Sequence, residues 1–389
     1  MTAQTVDVIV VGLGTAGAAA AMTLARRGVS VLGVDAFRPP HDRASHHGKS
    51  RSIRRAYLEG TAYVPMALRA WQLWRKLEAD TGSDLLSVTG NLTIGPADAP
   101  AVEGFLQSAR AYGIPHQSLS AAEVRRRWPL LAVPDHFVAG LETEAGILFP
   151  ERCIAAMMAE AQKAGAELRF SEPALSWHET SAGIRLKTSS GIYEAGRLLL
   201  AAGARNKALL GRAGQWLFPK RVPVHWLTPP PAADVSLGAF PVNFWQIPTE
   251  ANAAGAGDLE FYTLPSVGSG GRVKAAAHND LADCDPEAMP RQVSAEERGK
   301  TRRFLEVYLP SLADCPMESH LCLYTLTPDG HFILGEPDGC SRVAAAALAG
   351  HGFKFAPVLG EILADMLLGQ TPAFDTAMFS PGRFGDGGW

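Results

Sequence analysis

The sequence lacks the features that would place it in a membrane, on nucleic acid or in an oxidising compartment. Its five cysteines, Cys153, Cys284, Cys315, Cys322 and Cys340, include no CxxC pair. An odd, sparse set argues against a disulfide framework and suits reduced thiols in a cytoplasm. No His/Cys cluster has metal-ligand spacing, and the adjacent His46 and His47 lack a third ligand nearby, so no metal is expected. A net charge of −3 leaves no electrostatic footprint for nucleic acid or an anionic membrane. No stretch is long and apolar enough to cross a bilayer. Val8 to Leu24 has the look of a signal peptide, but it has no basic n-region and is preceded by Asp7. The expectation is a soluble, cytoplasmic protein with neither nucleic-acid nor membrane partners. At 389 residues, 47% apolar and 19% charged, the chain has room for two domains with real cores.

What is present begins with the first forty residues. Val8-Ile9-Val10-Val11 reads as a buried parallel strand, followed at once by Gly12-Leu13-Gly14-Thr15-Ala16-Gly17 and an alanine-rich helix to about Arg27. Val29 to Val34 is a second buried strand with Asp35 at its carboxyl end. Gly12 permits the tight turn, Gly14 lets the backbone approach a pyrophosphate, and Gly17 lets helix and strand pack closely. The helix N-terminus offers unpaired N–H groups to phosphate. Asp35 suits ribose hydroxyls, and its charge disfavours a 2′-phosphate. With strand, helix and acid all in place, the motif predicts dinucleotide binding without choosing between FAD and NAD.

Further along, Tyr63 to Ala79 has helical spacing, with Met66, Ala70, Leu73, Trp74 and Leu77 as core. Asn91 to Gly95 reads as a strand, Ala121 to Trp128 as a short helix, and Pro150 to Gly165 as a helix with Pro at its start and Gly at its end. Two strands, Gly183 to Lys187 and Gly191 to Tyr193, lead into a returning strand at Arg197 to Gly203. From about Gly214 the pattern changes to short β-like pieces rich in Pro and Trp: Val224 to Trp226, Asn243 to Trp245, Glu260 to Tyr262 and Gly271 to Lys274. Ser294 is a candidate cap for an amphipathic helix to Tyr308. Arg342 to Leu348 reads as a strand, Gly350 to Phe353 as a glycine loop, and Phe355 to Leu368 as a helix. The tail, Thr371 to Trp389, is expected to lie over the surface. The fold class is α/β (α+β mixed): a Rossmann-like dinucleotide-binding domain over 1–87, 150–213 and 326–389, and an inserted antiparallel-sheet substrate domain over 88–149 and 214–325.

Three segments carry a family resemblance. Ser45-His46-His47-Gly48 with Arg51 and Arg54, Cys322-Leu323-Tyr324-Thr325, and Gly350-His351-Gly352-Phe353-Lys354-Phe355 together resemble the monomeric sarcosine oxidase and N-methyltryptophan oxidase family. The similarity runs end to end in the same order, and Val358 to Ile362 looks closer to the N-methyltryptophan branch. The resemblance implies FAD, a fold of the glycine/D-amino-acid-oxidase type, and a monomer. The implied chemistry is oxidation of secondary amines of amino acids, hydrolysis of the imine, and reoxidation of the flavin by O₂ to give H₂O₂.

The same resemblance assigns residues. Cys322 stands where a thiolate joins the ring methyl of the flavin; the alternative is a buried, inert thiol between Leu321 and Leu323. Arg54 and Lys354 match the pair that holds the substrate carboxylate. The alternative for Arg54, one of three close arginines with Arg51 and Arg55, is a solvated face. Lys354, at a helix start where a cation opposes the dipole, needs an anion. Arg51 and His47 match residues against the flavin ring, with Ser45, His46 and Ser50 (usually Thr in the family) in the same cofactor-binding loop. Gly350, Gly352 and Phe353 would bring backbone N–H groups to the flavin's pyrimidine edge. Lys274 aligns with the lysine that activates oxygen near flavin N5, on a register set by an insertion in the loop Gly268 to Gly271; the alternative is an outward edge lysine. His278, Tyr262 and Tyr324 match substrate-pocket positions, with core packing as the alternative. The chain departs from the family pattern at Arg205, in place of an aromatic, and at Lys49, in place of an acid.

The leading expectation is an FAD-dependent oxidase that demethylates an N-methyl amino acid of sarcosine or N-methyl-L-tryptophan type. A neighbouring expectation keeps the flavin chemistry but takes a pipecolate-like cyclic imino acid or a glycated amino acid, with no formaldehyde formed. A non-catalytic flavin scaffold is disfavoured because it has no need for cations around an apolar pocket. An NAD-dependent dehydrogenase is disfavoured by Cys322 and the Gly350-to-Phe355 segment.

Overall fold

The computed structural model describes residues 5–248, 258–268, 271–279, 281–337 and 340–385. Residues 269 and 270 of the Gly268-to-Gly271 loop, and the last four residues of the tail, lie outside these. The opening motif folds as read: strand Thr5–Val11, helix Thr15–Arg26 and strand Val31–Val34, the two strands parallel. Gly12 turns with φ +89°, and a Cβ there would sit 2.6 Å from the Ala201 carbonyl oxygen. A Cβ on Gly17 would overlap the Gly12 carbonyl, so side chains are excluded at both positions.

These strands belong to an eight-stranded sheet. Its centre is Thr5–Val11, flanked in parallel by Val31–Val34 and Ile192–Leu200, and Val343–Ala347 pairs in parallel with the latter. Helices Thr15–Arg26, Pro150–Lys163 and Ala356–Leu367 cover one face with aliphatic side chains, as a parallel sheet requires. The segment read as two strands, Gly191 to Tyr193 and Arg197 to Gly203, is one strand, Ile192–Leu200. Its first half pairs antiparallel with Gly183–Thr188 and its second half parallel with Thr5–Val11. The hydrophobic pattern therefore changes mid-strand and imitates a break.

The second sheet has nine strands. Strands Met317–Leu326 and Ala282–Asp283 both pair with Phe218–Leu227, followed in order by Val273–Ala277, Leu259–Leu264, Val242–Ile247, Asn91–Pro96, Phe137–Glu142 and His116–Ser120. The sheet is antiparallel as expected except at one pair, Val242–Ile247 and Asn91–Pro96, which run parallel. Nearly 150 residues separate them in the sequence, and a parallel pair needs such a crossover rather than a hairpin. Helix Ala295–Tyr308, capped by Ser294 with Glu297 in a reciprocal capping box, backs one face of this sheet. Its Phe304 stacks on Phe261, with ring centroids 3.7 Å apart, and packs edge-on against Trp245. The other face is left for a cavity. We propose domain boundaries at 1–87, 150–213 and 326–389 for the first sheet and at 88–149 and 214–325 for the second, a division supported by the strands of the two large sheets and crossed by a small three-stranded sheet of Arg51–Ile53, Gly146–Leu148 and Leu86–Val88.

The helix after Thr61–Tyr63 runs Val64–Thr81, with Met66, Ala70, Trp74 and Leu77 buried as expected. The described part of the tail lies largely over the surface, as expected, anchored by Phe379, buried among Phe332 and Tyr63, and by Arg383, paired with Asp329 at 2.7 Å. Helix Pro100–Ala111 and strand Ala174–Thr180 gave no clear sequence signal, the strand being mostly exposed.

Candidate active site

A cavity of about 750 Å³ lies between the glycine turn and the free face of the second sheet. Gly12, Gly14 and Asp35 line one end. The Asp35 carboxylate accepts the N–H groups of Leu13 (2.7 Å) and Phe37 (2.9 Å); two oxygens offer about four acceptor positions, so capacity remains for a ligand hydroxyl. Within the same loop His46 is buried, with Nδ1 3.3 Å from where a Gly14 Cβ would stand. Burial first, and then His41, pulls its pKa down to about 3, so the ring is neutral.

Midway along the cavity the loop after Asp35 meets the second sheet. The Arg51 guanidinium donates to the carbonyls of Ser45 (2.5 Å), His47 (2.6 Å) and Ser50 (2.8 Å) and lies 3.6 Å from Cys322 Sγ. Cys322 is buried on strand Met317–Leu326. Burial alone would raise its pKa, but His47, Arg51 and Lys274 bring it down to about 6, so the thiolate prevails at neutral pH. Lys274 is 2% exposed, which removes the reading of an outward edge lysine. Its Nζ donates to the carbonyls of Ser50 (2.7 Å) and Gly48 (3.2 Å). Burial and then Arg51 hold its pKa well below the usual lysine range.

At the far end Arg54 and Lys354 are both buried, at 6% exposure each, so the solvated-face reading of Arg54 also falls. The two cations share one ring: Arg54 Cζ lies 5.3 Å and Lys354 Nζ 5.1 Å from the Tyr57 centroid. Lys354 Nζ donates to the His351 carbonyl (2.8 Å) and approaches the Tyr57 hydroxyl at 3.4 Å. Burial and Arg54 lower its pKa to about 7. His278 lines the same end beside Phe244, Tyr262 and Tyr324, and burial lowers its pKa to about 4. Tyr262, likewise pushed up by burial to about 12, stays protonated. Gly350 (φ +81°) leaves no space for a Cβ beside the Tyr324 ring. Of the turn that Gly350, Gly352 and Phe353 form, the His351 N–H is already taken by the Leu348 carbonyl. No group of three or more potential metal ligands occurs among the described residues.

Sequence reading missed Glu59, whose carboxylate pairs with Arg54 at 3.3 Å and whose pKa falls to about 2 despite burial, through Arg54, His351 and Lys354. It also missed Tyr57 and the role of the His351 ring, which accepts from the Tyr57 hydroxyl. Glu59 sits in a loop with no spacing signal; only its place five residues after Arg54 would have marked it. Glu151 went unnoticed as well, although it fixes the Gly48 and Lys49 backbone N–H groups.

The family description that matches, FAD dependent oxidoreductase, covers residues 7–366. The chain belongs to this family. It is 36% identical to the monomeric sarcosine oxidase of Streptomyces avermitilis over 389 residues, covering 97% of this chain and 98% of that one. It is 34% identical to the N-methyl-L-tryptophan oxidase of Salmonella newport over 381 residues, covering 97% and 99%. Among solved structures, the open form of NikD, an unusual amino acid oxidase essential for nikkomycin biosynthesis, superposes with a TM-score of 0.84 at 23% identity over 97% of this chain and 98% of that one. Glycine oxidase from Geobacillus kaustophilus superposes at 0.80, also at 23% identity, over 98% and 99%; both share the fold. The family's FAD suits the cavity, with a glycine turn and acid at one end and a low-pKa thiol beside buried cations in the middle.

Proposed function

We propose that this flavoprotein oxidises the secondary amine of an N-methyl amino acid, giving the amino acid, formaldehyde and H₂O₂. The observation that carries this reading is the pair of buried cations, Arg54 and Lys354, sharing Tyr57 at one end of a cavity whose middle holds Cys322, Arg51 and Lys274. Arg54 and Lys354 hold the substrate carboxylate, which competes with Glu59 for the Arg54 guanidinium. Tyr262, Phe244 and Tyr324 supply apolar walls that keep water from the N-methyl carbon. A neutral amine is the form that this cationic site accepts. FAD supplies the two-electron acceptor for the C–H bond next to nitrogen. The balance is R–NH–CH₃ + O₂ → R–N=CH₂ + H₂O₂, after which water gives R–NH₂ and formaldehyde. Cys322 tethers the flavin covalently, Lys274 serves the oxygen step, and the protein acts as a cytoplasmic monomer, a setting in keeping with the unpaired Cys153, Cys284, Cys315 and Cys340.

Anaerobic mixing with sarcosine, N-methyltryptophan, pipecolate and a glycated amino acid, followed by flavin absorbance, tests the reaction. Bleaching by an N-methyl amino acid, with formaldehyde released on aeration, is expected. Bleaching only by pipecolate or the glycated compound would transfer the chemistry to a ring or sugar carbon.

A second expectation concerns the tether. Acid-denatured wild-type protein should keep its yellow colour in the pellet, and Cys322→Ser should release free flavin to the supernatant. A wild type that releases all its flavin on denaturation would remove Cys322 from that role.

A further inference from the structure

Side chains on the second sheet alternate between the helix Ala295–Tyr308 and the cavity. Leu92, Ile94 and Trp245 pack on the helix side with Phe304. Asn91, in register with Val242 on the neighbouring strand, therefore faces the cavity and lines it. Asn91 is 0% exposed. Its amide oxygen accepts from the Ser52 hydroxyl at 3.3 Å, and Ser52 lines the same wall. Asn91 Nδ2 has no hydrogen-bond partner among the described residues, and neither has Nε of Arg54, two residues from Ser52. Buried donors are ordinarily satisfied, and leaving one unmet is unfavourable unless a ligand meets it.

The wall belongs to the substrate end of the cavity. Four strands, Phe218–Leu227, Val273–Ala277, Leu259–Leu264 and Val242–Ile247, separate the strand of Asn91 from that of Cys322. Phe244, on the strand next to Asn91, carries the Arg54 guanidinium 5.7 Å from its ring centroid. Of the neighbouring positions, Val242 and Leu264 are apolar and the acid in register with Asn91 on the other side, Glu142, is held by Arg55, so Asn91 Nδ2 and Arg54 Nε are the unmet donors of this wall among the described residues.

The geometry points to Asn91, oriented by Ser52, as a specificity-determining residue that donates a hydrogen bond to an oxygen acceptor in the substrate beyond its carboxylate. The substrate class is an amino acid whose side chain carries a carbonyl, amide, carboxylate or hydroxyl oxygen near its end. For the identity of the substrate this rests on the N-methyl amino acid reading. Sarcosine, without a side chain, leaves the donor unmet.

The test uses the flavin-loaded protein and two unreactive carboxylates of one skeleton, levulinate and isocaproate, which differ in a ketone oxygen against a methyl group. Flavin difference spectra give their dissociation constants. The wild type is expected to bind levulinate about tenfold or more tightly than isocaproate, and Asn91→Leu to bring the ratio to unity or invert it. Should Asn91→Leu fail to fold, Ser52→Ala, which removes the hydroxyl that orients the amide, is expected to shrink the ratio. No preference in the wild type, or a preference unchanged in the folded variant, overturns the assignment. Anaerobic bleaching by N-methylasparagine and N-methylleucine separates the two readings. Bleaching without the levulinate preference sinks the role of Asn91 alone. The preference without bleaching by any N-methyl amino acid sinks the reaction and leaves the donor wall in place.

Discussion

Lys274→Met is expected to slow reoxidation of the reduced enzyme by O₂ about a hundredfold or more, while reduction by substrate changes only severalfold. The argument starts from burial. Lys274 is 2% exposed and donates to two backbone carbonyls, and none of its recorded hydrogen bonds goes to a carboxylate. Its negative neighbours are Glu151 and Cys322, and with Cys322 bound to the flavin the lysine's charge stays available to a species gaining negative charge nearby. Oxygen becomes anionic as it accepts an electron, whereas the amine half-reaction starts from a neutral substrate. A preorganised cation in a dry site acts on the first and barely on the second, and loss of one such stabiliser costs about two to three powers of ten in rate. Burial and Arg51 lower the lysine's pKa, so the oxygen step should also lose rate with rising pH below the usual lysine range, and the Met variant should lose that dependence. Stopped-flow measurement of the two half-reactions separately decides the matter; equal slowing of both contradicts the assignment. Because Lys274 also helps to lower the Cys322 pKa, flavin retention after denaturation is measured in the same variant to keep the two effects apart.

Much of this was legible in the sequence where one local cause dominates. The glycine turn is forced by backbone approach at Gly12 and Gly17, and the helix after Ser294 by its capping box. Lys354 was singled out because a cation at a helix start between Phe353 and Phe355 lacks a local reason, and it lies buried beside Arg54's ring partner Tyr57. What the sequence hid depends on distant pairing. The parallel contact of Asn91–Pro96 with Val242–Ile247 is set by topology rather than by any local pattern. Glu59 reads as a surface acid until the fold brings Arg54, His278 and Lys354 around it. The low pKa of Cys322 arises from His47, Arg51 and Lys274, which are far from it in sequence, while its own neighbours Leu321 and Leu323 suggest inertness. Asn91 and Ser52, thirty-nine residues apart, show no motif at all.

Arg54 and Lys354 make different predictions, although both meet the same carboxylate. Arg54→Met removes a buried fork and leaves Glu59 without its partner at 3.3 Å. Truncating one side of such a pair costs about 2–5 kcal/mol, so KM for the amino acid and Kd for a plain carboxylate ligand should both rise by at least an order of magnitude. Lys354 adds a pH signature. In the free protein its pKa is about 7, and a bound carboxylate, as an opposite charge, raises it. A ligand without an amine should therefore bind with constant affinity below pH 7. Its Kd should then climb toward tenfold per pH unit, until the raised pKa of the complex is passed. Of the other groups near the site, Glu59 ionises near 2 and His278 and His351 stay neutral above their values of about 4, whereas Glu260, pushed up to about 7 by burial and then Glu59, titrates in the same range. Variants separate the two: Lys354→Met should give weaker binding that loses most of the climb between pH 6 and about 9, whereas Glu260→Gln should keep it. Titration of acetate against the flavin spectrum across that range measures it. A wild-type Kd that is flat through pH 7, or a Met variant that keeps the slope, would place the carboxylate somewhere other than on this lysine.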